Sequence, residues 1–449
     1  MNAPSLAVEA ERKTSVRFLV VALLFIITSI NNGDRATISM VGASMSKELG
    51  LGPVGLGYVF SAFSWAYVIA QIPGGWLLDR FGSRRVYFWS IFTWSLVTLL
   101  QGFVGSLHSV GMIVSMLFLL RFLVGLAESP SFPGNARVVA AWFPANERGT
   151  ASAIFNSAQY FATVLFAPTM GWLIHSYGWS SVFFAMGGIG ILGSMVWLLV
   201  MYDPKSHPMI NRAEFEYIEQ GGGLVHMDAK RADGSVQVQA QGMNKWDAVK
   251  QMFSSRMMVG VFIAQYCINA LTYFFISWFP VYLVQSRHMS ILKVGFVAAI
   301  PAVCGFGGGI LGGMISDGLL RMGASLTVSR KLPIVLGMLL STTLVIANYV
   351  SVEWIVIAVL ALAFFGKGVG ALGWAVMSDI APKEISGLSG GVFNMIGNMS
   401  GIVTPIAIGY IIKDSGSFNG GLVFVAAHAV LAVISYLVIV GPIKRFELR

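Results

Sequence analysis

The sequence predicts an all-α membrane protein whose twelve transmembrane helices form two pseudo-symmetric six-helix bundles. Three observations predict it. The 449-residue chain has a mean hydropathy of +0.75 with only 11% charged residues, which excludes an ordinary soluble domain. Apolar runs of membrane-crossing length recur along nearly the whole chain. The second half also repeats the first at an offset of 238 residues: Gly57 aligns with Gly295, Gly74 and Gly75 with Gly312 and Gly313, and Asp79 with Asp317. Further along, Pro144 aligns with Pro382, Gly149 with Gly387, Phe155 and Asn156 with Phe393 and Asn394, and Gly171 with Gly409. These are mostly packing, kinking or polar residues, so shared apolar composition does not account for them. An internally duplicated membrane protein is the usual build of a secondary transporter, with its site between the halves.

The expected spans are 17–43, 55–80, 85–106, 111–135, 147–176 and 180–202 in the first half. In the second they are 256–286, 292–321, 331–350, 354–379, 384–413 and 419–442. The domain plan that follows is a tail (1–16), a first bundle (17–202), a cytoplasmic linker (203–255), a second bundle (256–442) and a short tail (443–449). Residues 1–16 are polar, and no small-residue cleavage site follows a short apolar core, so the first helix reads as uncleaved. The linker is polar, of mixed charge and interrupted by Gly221, Gly222 and Gly223, and its segment 212–220 has the pattern of a short amphipathic helix. It is too short and too polar for a further folded domain.

The net charge of +9 sets topology and does not imply an acidic or nucleic-acid partner. Lys and Arg gather on the loops that share a side with the N-terminus. Only Lys47, Arg287, Lys293 and Lys413 fall on the other side, which puts both termini in the cytoplasm. Cys267 and Cys304 lie within spans and read as packed thiols, so a disulfide framework is excluded. Prolines 73, 130, 133, 168, 280, 301 and 405 fall inside spans and predict kinks or local unwinding. Two G-x-G-x-x-G strings, 188–193 and 307–312, lie inside apolar spans and follow no soluble strand. They are read as close helix packing, not as dinucleotide binding. No cofactor is expected.

Charges inside the membrane carry most of the functional information, because each is costly there. They are Asp34 and Arg35 in the first span, Arg121 and Glu128 in the fourth, and Lys367 in the tenth. Internal ion pairing accounts for the acids beside two arginines but leaves Lys367 without an acid in its own half. With straight spans, Tyr67, Arg121, Gln159, Asn269, Tyr273, Lys367, Asn394 and Asn398 fall near the midplane. Asp34 and Arg35 then lie a turn outward, and Glu128 and Trp374 a turn or two inward. Taken singly, residues such as Asn269 or Tyr273 are equally explained by hydrogen bonds between helices.

The string from Gly75 through Asp79 and Arg80 to Arg84 and Arg85 sits where the second span leaves the membrane. An acid followed by a basic cluster can pair with a neighbouring helix end and hold an inner gate shut. With its degraded echo at Gly313 and Asp317, this G-x-x-x-D-R-x-G-x-R-R pattern resembles the major facilitator superfamily and implies that fold. Further strings narrow the resemblance: Gly33-Asp34-Arg35-Ala36-Thr37, the run Gly57 to Arg80, Arg121 through Glu128 to Pro133, Phe155 to Tyr160, and Phe365-Gly366-Lys367-Gly368 through Trp374. Together they resemble the anion:cation symporter family over essentially the whole chain, and within it the bacterial permeases for D-glucarate and galactarate.

That resemblance implies proton-coupled import of sugar acids across the bacterial inner membrane. It implies Asp34 and Glu128 as protonation sites, Arg121 tuning the glutamate, and Arg35, Tyr67, Gln159, Trp374 and Asn394 contacting substrate. The chain departs from the pattern at Asn32, where relatives usually carry tyrosine, and altered affinity or selectivity is the expected consequence. Arg35 in one half and Lys367 in the other suit a diacid, one for each carboxylate. Moving one charge against the membrane potential costs about 2.3 kcal/mol per 100 mV, so a dianion entering a negative cell needs at least two protons. The expected partners are a sugar diacid, protons and the lipid bilayer, with no nucleic acid, and the expected state is a monomer. The alternatives are the same machine carrying a monoacid such as galactonate or a hexuronate, a sugar-acid exchanger, and a membrane sensor signalling through the linker. A membrane enzyme is disfavoured because no nucleophile–base pair or metal-ligand cluster is seen.

Overall fold

The computed structural model describes residues 13–226, 245–382 and 385–448. Much of the expected N-terminal tail and the middle of the expected linker lie outside them. The first bundle contains α1 (Val16–Leu49), α2 (Pro53–Phe81), α3 (Ser83–Gln101), α4 (Val110–Glu128), α5 (Ser131–Trp142), α6 (Arg148–Tyr177) and α7 (Ser180–Val200). Two short helices, α8 (Arg212–Gln220) and α9 (Lys245–Ser254), lie between the bundles in sequence. The second bundle contains α10 (Arg256–Ser277), α11 (Phe279–Gln285), α12 (Ile291–Arg321), α13 (Leu326–Ser341), α14 (Glu353–Val369), α15 (Gly373–Ile380), α16 (Ser386–Ser415) and α17 (Asn419–Ile434).

Among the described residues, eleven helical stretches are long and apolar enough to cross a membrane, with α4–α5 and α14–α15 each forming one. The twelfth expected span, α6, is 30 residues long but less apolar. Its polar side chains are turned back on their own helix. Asn156 Nδ2 donates to Ser152 O at 2.9 Å, Ser157 Oγ to Ile154 O at 2.7 Å, and Thr163 Oγ1 to Gln159 O at 3.2 Å. Intrahelical bonds of this kind let a polar helix sit among apolar neighbours, and α6 packs against both α1 and α12.

Prolines 73, 168, 301 and 405 lie within continuous helices, and Pro280 opens α11. The Pro130–Pro133 region coincides with the break between α4 and α5, and Pro280 with the break at Trp278 between α10 and α11. A further break, between α14 and α15, falls at residues 370–372 with no proline nearby. Under the repeat the α4–α5 and α14–α15 breaks lie within about a turn of each other: α4 ends on Glu128, and the position 238 residues on is Gly366, one residue before Lys367 and within the last turn of α14.

The bundles meet along two symmetric seams. A Cβ on Gly57 would lie 2.7 Å from Pro405 O, and one on Gly409 would lie 2.7 Å from Pro53 O, so α2 and α16 touch backbone to backbone. The repeat-equivalent pair does the same for α12 and α6: a Cβ on Gly295 would lie 2.7 Å from Ala167 O, and one on Gly171 would lie 2.9 Å from Ile291 O. Where lipid is as apolar as the side chains, such close approach is what makes helices associate. Trp278 completes this closure. Its indole donates to Pro405 O at 3.0 Å and it packs edge-on to Phe60, with ring centres 5.2 Å apart.

These contacts lie toward the face opposite the chain termini. At the face carrying the termini, the equivalent glycines are unpacked: a Cβ on Gly75, Gly313, Gly149 or Gly387 would meet nothing within 4 Å. The buried core divides in the same way. One cluster runs through the first bundle into the far part of the second, including Trp278, Tyr282 and Val294. The near part of the second bundle keeps its own cluster around Met258, Phe262, Ile334 and Phe393. The molecule is therefore closed on the far face and parted on the terminus face.

The helix α8 docks on the first bundle through Glu214, which is fully buried. Its carboxylate accepts from Thr14 Oγ1 at 2.6 Å, Val16 N at 2.9 Å, Arg17 N at 3.2 Å and Arg17 Nη1 at 3.0 Å. An anion bonded to the free N–H groups of a helix start is favoured by the helix dipole. Glu214 thus caps α1 and holds the start of the connecting segment on the first bundle.

If the seams are backbone contacts, Gly57→Ala and Gly295→Ala lower stability by about 1–3 kcal/mol each through overpacking, seen as lower melting temperatures of the purified protein. Gly75→Ala, which meets open space, melts no lower than the parent. Equal effects at all three positions would contradict the seam assignment.

Candidate functional site

The first bundle gathers four membrane charges into one cluster. Arg35 Nε donates to Glu128 Oε2 at 2.7 Å. Its guanidinium carbon lies 4.6 Å from the Phe63 ring centre, 5.0 Å from Tyr67 and 5.7 Å from Phe132, a cation–π setting. Asp34 is 2% exposed and accepts from Thr98 Oγ1 at 2.7 Å. Arg121, also buried, sits near both acids, with its guanidinium 5.8 Å from the Phe63 ring. Tyr67 stacks on Phe63 with ring centres 5.3 Å apart.

The direct Arg35–Glu128 bond corrects the depth estimate from straight spans, which put these residues on different levels. Side chains on a helix lean toward its N-terminus, and arginine is long. Arg35 on α1 therefore reaches back toward the terminus face and meets Glu128 at the end of α4.

This cluster is charged but only partly satisfied. Asp34 Oδ1, Glu128 Oε1, Arg35 Nη2, and Arg121 Nε and Nη1 are buried without a hydrogen-bond partner among the described residues. Buried polar atoms are normally paired, and unpaired ones are costly. So many on four adjacent ionisable groups mark a place for water, protons or ligand. The electrostatics are simple. With both acids ionised, the two acids and two arginines sum to zero, and each proton taken up leaves one positive charge free to hold an anion.

The second bundle presents a neutral polar chain. Tyr273 Oη donates to Asn398 Oδ1 at 2.8 Å, and Asn398 Nδ2 donates to Asn394 O at 2.8 Å and to its Oδ1 at 3.1 Å. Gln265 Nε2 donates to Asn269 Oδ1 at 3.2 Å. Lys367 is half-buried in the last turn of α14, 5.2 Å from the Phe364 ring centre. Among the described residues it forms no ion pair. A cation at a helix C-terminus is favoured by the dipole. Trp374, in the first turn of α15, is 53% exposed and packs edge-on to Phe393.

Not every expected lining residue joins these groups. Asn32 donates to Thr28 O at 2.8 Å on its own helix, and Gln159 on α6 is exposed. The residues Gly75, Asp79, Arg80, Arg84 and Arg85 do not bridge the bundles in this conformation. Asp79 pairs with Arg137 on α5 at 2.5 Å. Arg84 Nη2 donates to Leu198 O at 2.7 Å and its guanidinium lies 3.9 Å from the Tyr202 ring centre. Arg80 lies beside Trp76 and Phe81.

Sequence reasoning missed Thr98, Phe63 and Gln265, which support Asp34, Arg35 and Asn269. A threonine or phenylalanine in an apolar span carries no signal of its own. Gln265 offers one, since it lies four residues before Asn269 and so on the same helical face.

A duplicated helical bundle with an under-satisfied charge cluster facing a polar partner bundle, both beside near-equivalent helix breaks, defines a secondary transporter. Residues 24–329 match the Major Facilitator Superfamily. The chain belongs to that superfamily. It is 66% identical over 443 residues to the probable galactarate/D-glucarate transporter GudP of Escherichia coli K12, covering 99% of this chain and 97% of that one. It is 60% identical to the probable galactarate/D-glucarate transporter GudP of Bacillus subtilis 168, covering 98% and 95%. Among solved structures, it resembles a bacterial homologue of the human lysosomal transporter Spinster in an inward-facing, unoccupied conformation. The TM-score is 0.73 at 16% identity, covering 96% of this chain and 98% of that one.

The cluster makes a direct energetic prediction. Arg35→Met leaves Glu128 buried without its cation and costs about 3–5 kcal/mol. The double variant Arg35→Met/Glu128→Met recovers most of that loss. Thermal melts of the purified variants check it, and identical melting temperatures for single and double would show that the pair is uncoupled.

Proposed function

We propose that this protein imports hexarates, D-glucarate and galactarate, with protons across the bacterial inner membrane by alternating access, with both termini cytoplasmic. The observation that carries this reading is the pair of opposed, incompletely neutralised charge sites. One is the Asp34–Arg35–Arg121–Glu128 cluster of the first bundle. The other is Lys367 of the second, which has no acidic partner among the described residues. Glu128 and Lys367 sit beside near-equivalent helix breaks. A dicarboxylate offers one anionic end to each. A monoacid would leave one of the cations unanswered.

The charges also suggest the coupling. Two protons on Asp34 and Glu128 leave Arg35 and Arg121 free of internal countercharge, and a dianion then restores the net charge of the empty, deprotonated site. The loaded and empty carriers cross with the same charge, so uptake of a dianion with two protons avoids opposition from the membrane potential. With cytoplasmic termini, the conformation parted at the terminus face is inward-open and corresponds to substrate release. The close relatives named as galactarate/D-glucarate transporters support the substrate class.

Labelled glucarate is expected to accumulate in proteoliposomes only with an outside-acid gradient. Asp34→Asn and Glu128→Gln are expected to abolish gradient-driven accumulation, with any residual transport confined to exchange. Accumulation that ignores the gradient would replace symport by exchange or facilitated diffusion. Lys367→Asn is expected to lower glucarate uptake relative to galactonate about tenfold, the effect of losing one charged hydrogen bond. An unchanged ratio would remove Lys367 from substrate selection.

A further inference from the structure

Beside the site a side-chain hydrogen bond crosses between the bundles, deeper in the α2–α16 seam than the exposed Tyr58–Tyr410 contact at 3.5 Å. Asn394 Nδ2 on α16 donates to Gln71 Oε1 on α2 at 3.1 Å. Asn394 also ends the chain that begins at Tyr273 Oη and passes through Asn398. The other end of the Gln71 amide, Nε2, is buried and has no partner among the described residues. Gln71 follows Tyr67 by four residues, so it lies on the same face of α2, one turn nearer the terminus face. Asn394 adjoins Phe393, which packs on Trp374. Gln71 thus stands between the charged cluster and the polar chain.

Symmetry argues that this bridge is not part of the packing plan. At the repeat offset, Gln71 corresponds to Gly309 and Asn394 to Asn156. Asn156 bonds to Ser152 on its own helix. The α2–α16 and α6–α12 seams share the same glycine contacts, yet only the first carries a side-chain bridge at this position among the described residues. Closure at the far face does not need it.

We propose that Gln71 is a further substrate-contacting and specificity residue, whose Oε1 exchanges its bond from Asn394 for a hydroxyl O–H of the bound sugar acid while Nε2 donates to an oxygen of the same molecule. An amide supplies two donors and an acceptor, which suits a polyhydroxylated carboxylate. Its unused donor lacks a partner while the site is empty and gains one when substrate arrives. The exchange also ties binding to the seam, because filling the site breaks a bond between the bundles. A site built to hydrogen-bond a substrate loses affinity when that partner is removed.

This inference rests on the hexarate reading, and the test separates the two. Binding of glucarate and of galactarate to the purified full-length protein is measured by calorimetry for the parent, Gln71→Leu, Asn394→Ala and the double variant. The cross-bundle bond is already absent in Asn394→Ala, so that background isolates contact between Gln71 and substrate. Gln71→Leu is expected to weaken glucarate binding about tenfold in the Asn394→Ala background, and by less in the parent, where losing the bond that substrate must break offsets part of the loss. Tighter binding in the parent background with no change in Asn394→Ala would mean a latch without substrate contact and would overturn the inference. So would affinities within twofold in both backgrounds. Gln71→Met, which keeps the length and removes the amide, repeats the test if the leucine variant does not fold. A parent protein that binds neither hexarate fails the hexarate reading, and this inference falls with it.

Discussion

Four glycines on two pairs of helices hold this molecule together across its midline. At Gly57, Gly409, Gly171 and Gly295 a single added methyl group would meet backbone of the opposite bundle. The contact is short-range packing, which has no intermediate distance at which it is half made. Two bundles joined this way are either in register at one end or parted there. The equivalent glycines at the other end, Gly75, Gly387, Gly149 and Gly313, face open space.

The charged cluster gives that two-state scaffold something to respond to. Arg35 bridges the end of α4 and the aromatic face of α2 through Glu128, Phe63 and Tyr67. A change in the charge of Glu128 therefore alters packing against the helix that forms one seam. Among the described residues the Asp34 carboxylate accepts one hydrogen bond, from Thr98, and its second oxygen has no partner. Each acid is tied down enough to be placed and left open enough to change state. The polar side chains of the second bundle, Tyr273, Asn398 and Asn394, are bonded to one another and add no acid to the cluster.

Much of this was legible in the sequence. The spacing of apolar runs and the 238-residue repeat reveal the twelve-helix plan, and the repeat even pairs the seam glycines before any contact is known. The helix at 212–220 follows from its amphipathic pattern, and α8 occupies those residues. Charges in apolar spans point to Asp34, Arg35, Arg121, Glu128 and Lys367 because few other reasons keep them there. What sequence could not supply was reach and conformation. Straight-span depth separated Arg35 from Glu128, because it measures Cα positions and ignores side-chain length and lean. The break at 370–372 carries no proline, only Gly370, one glycine among the many in the chain. Which face is closed depends on the relative placement of two bundles, and the same repeat is compatible with either arrangement.

The central claim is that the two ends of the α2–α16 seam are alternately closed around a proton- and anion-sensitive cluster. The most direct test is a spin-label distance measurement across that seam. One pair of labels is placed at the terminus-face ends of α2 and α16 and a second pair at their far ends, in a variant lacking Cys267 and Cys304. On adding glucarate at acid pH, the account predicts a new shorter distance in the first pair and a new longer distance in the second, in matching proportions. Distances that stay fixed at both ends while the same preparation transports glucarate would contradict it.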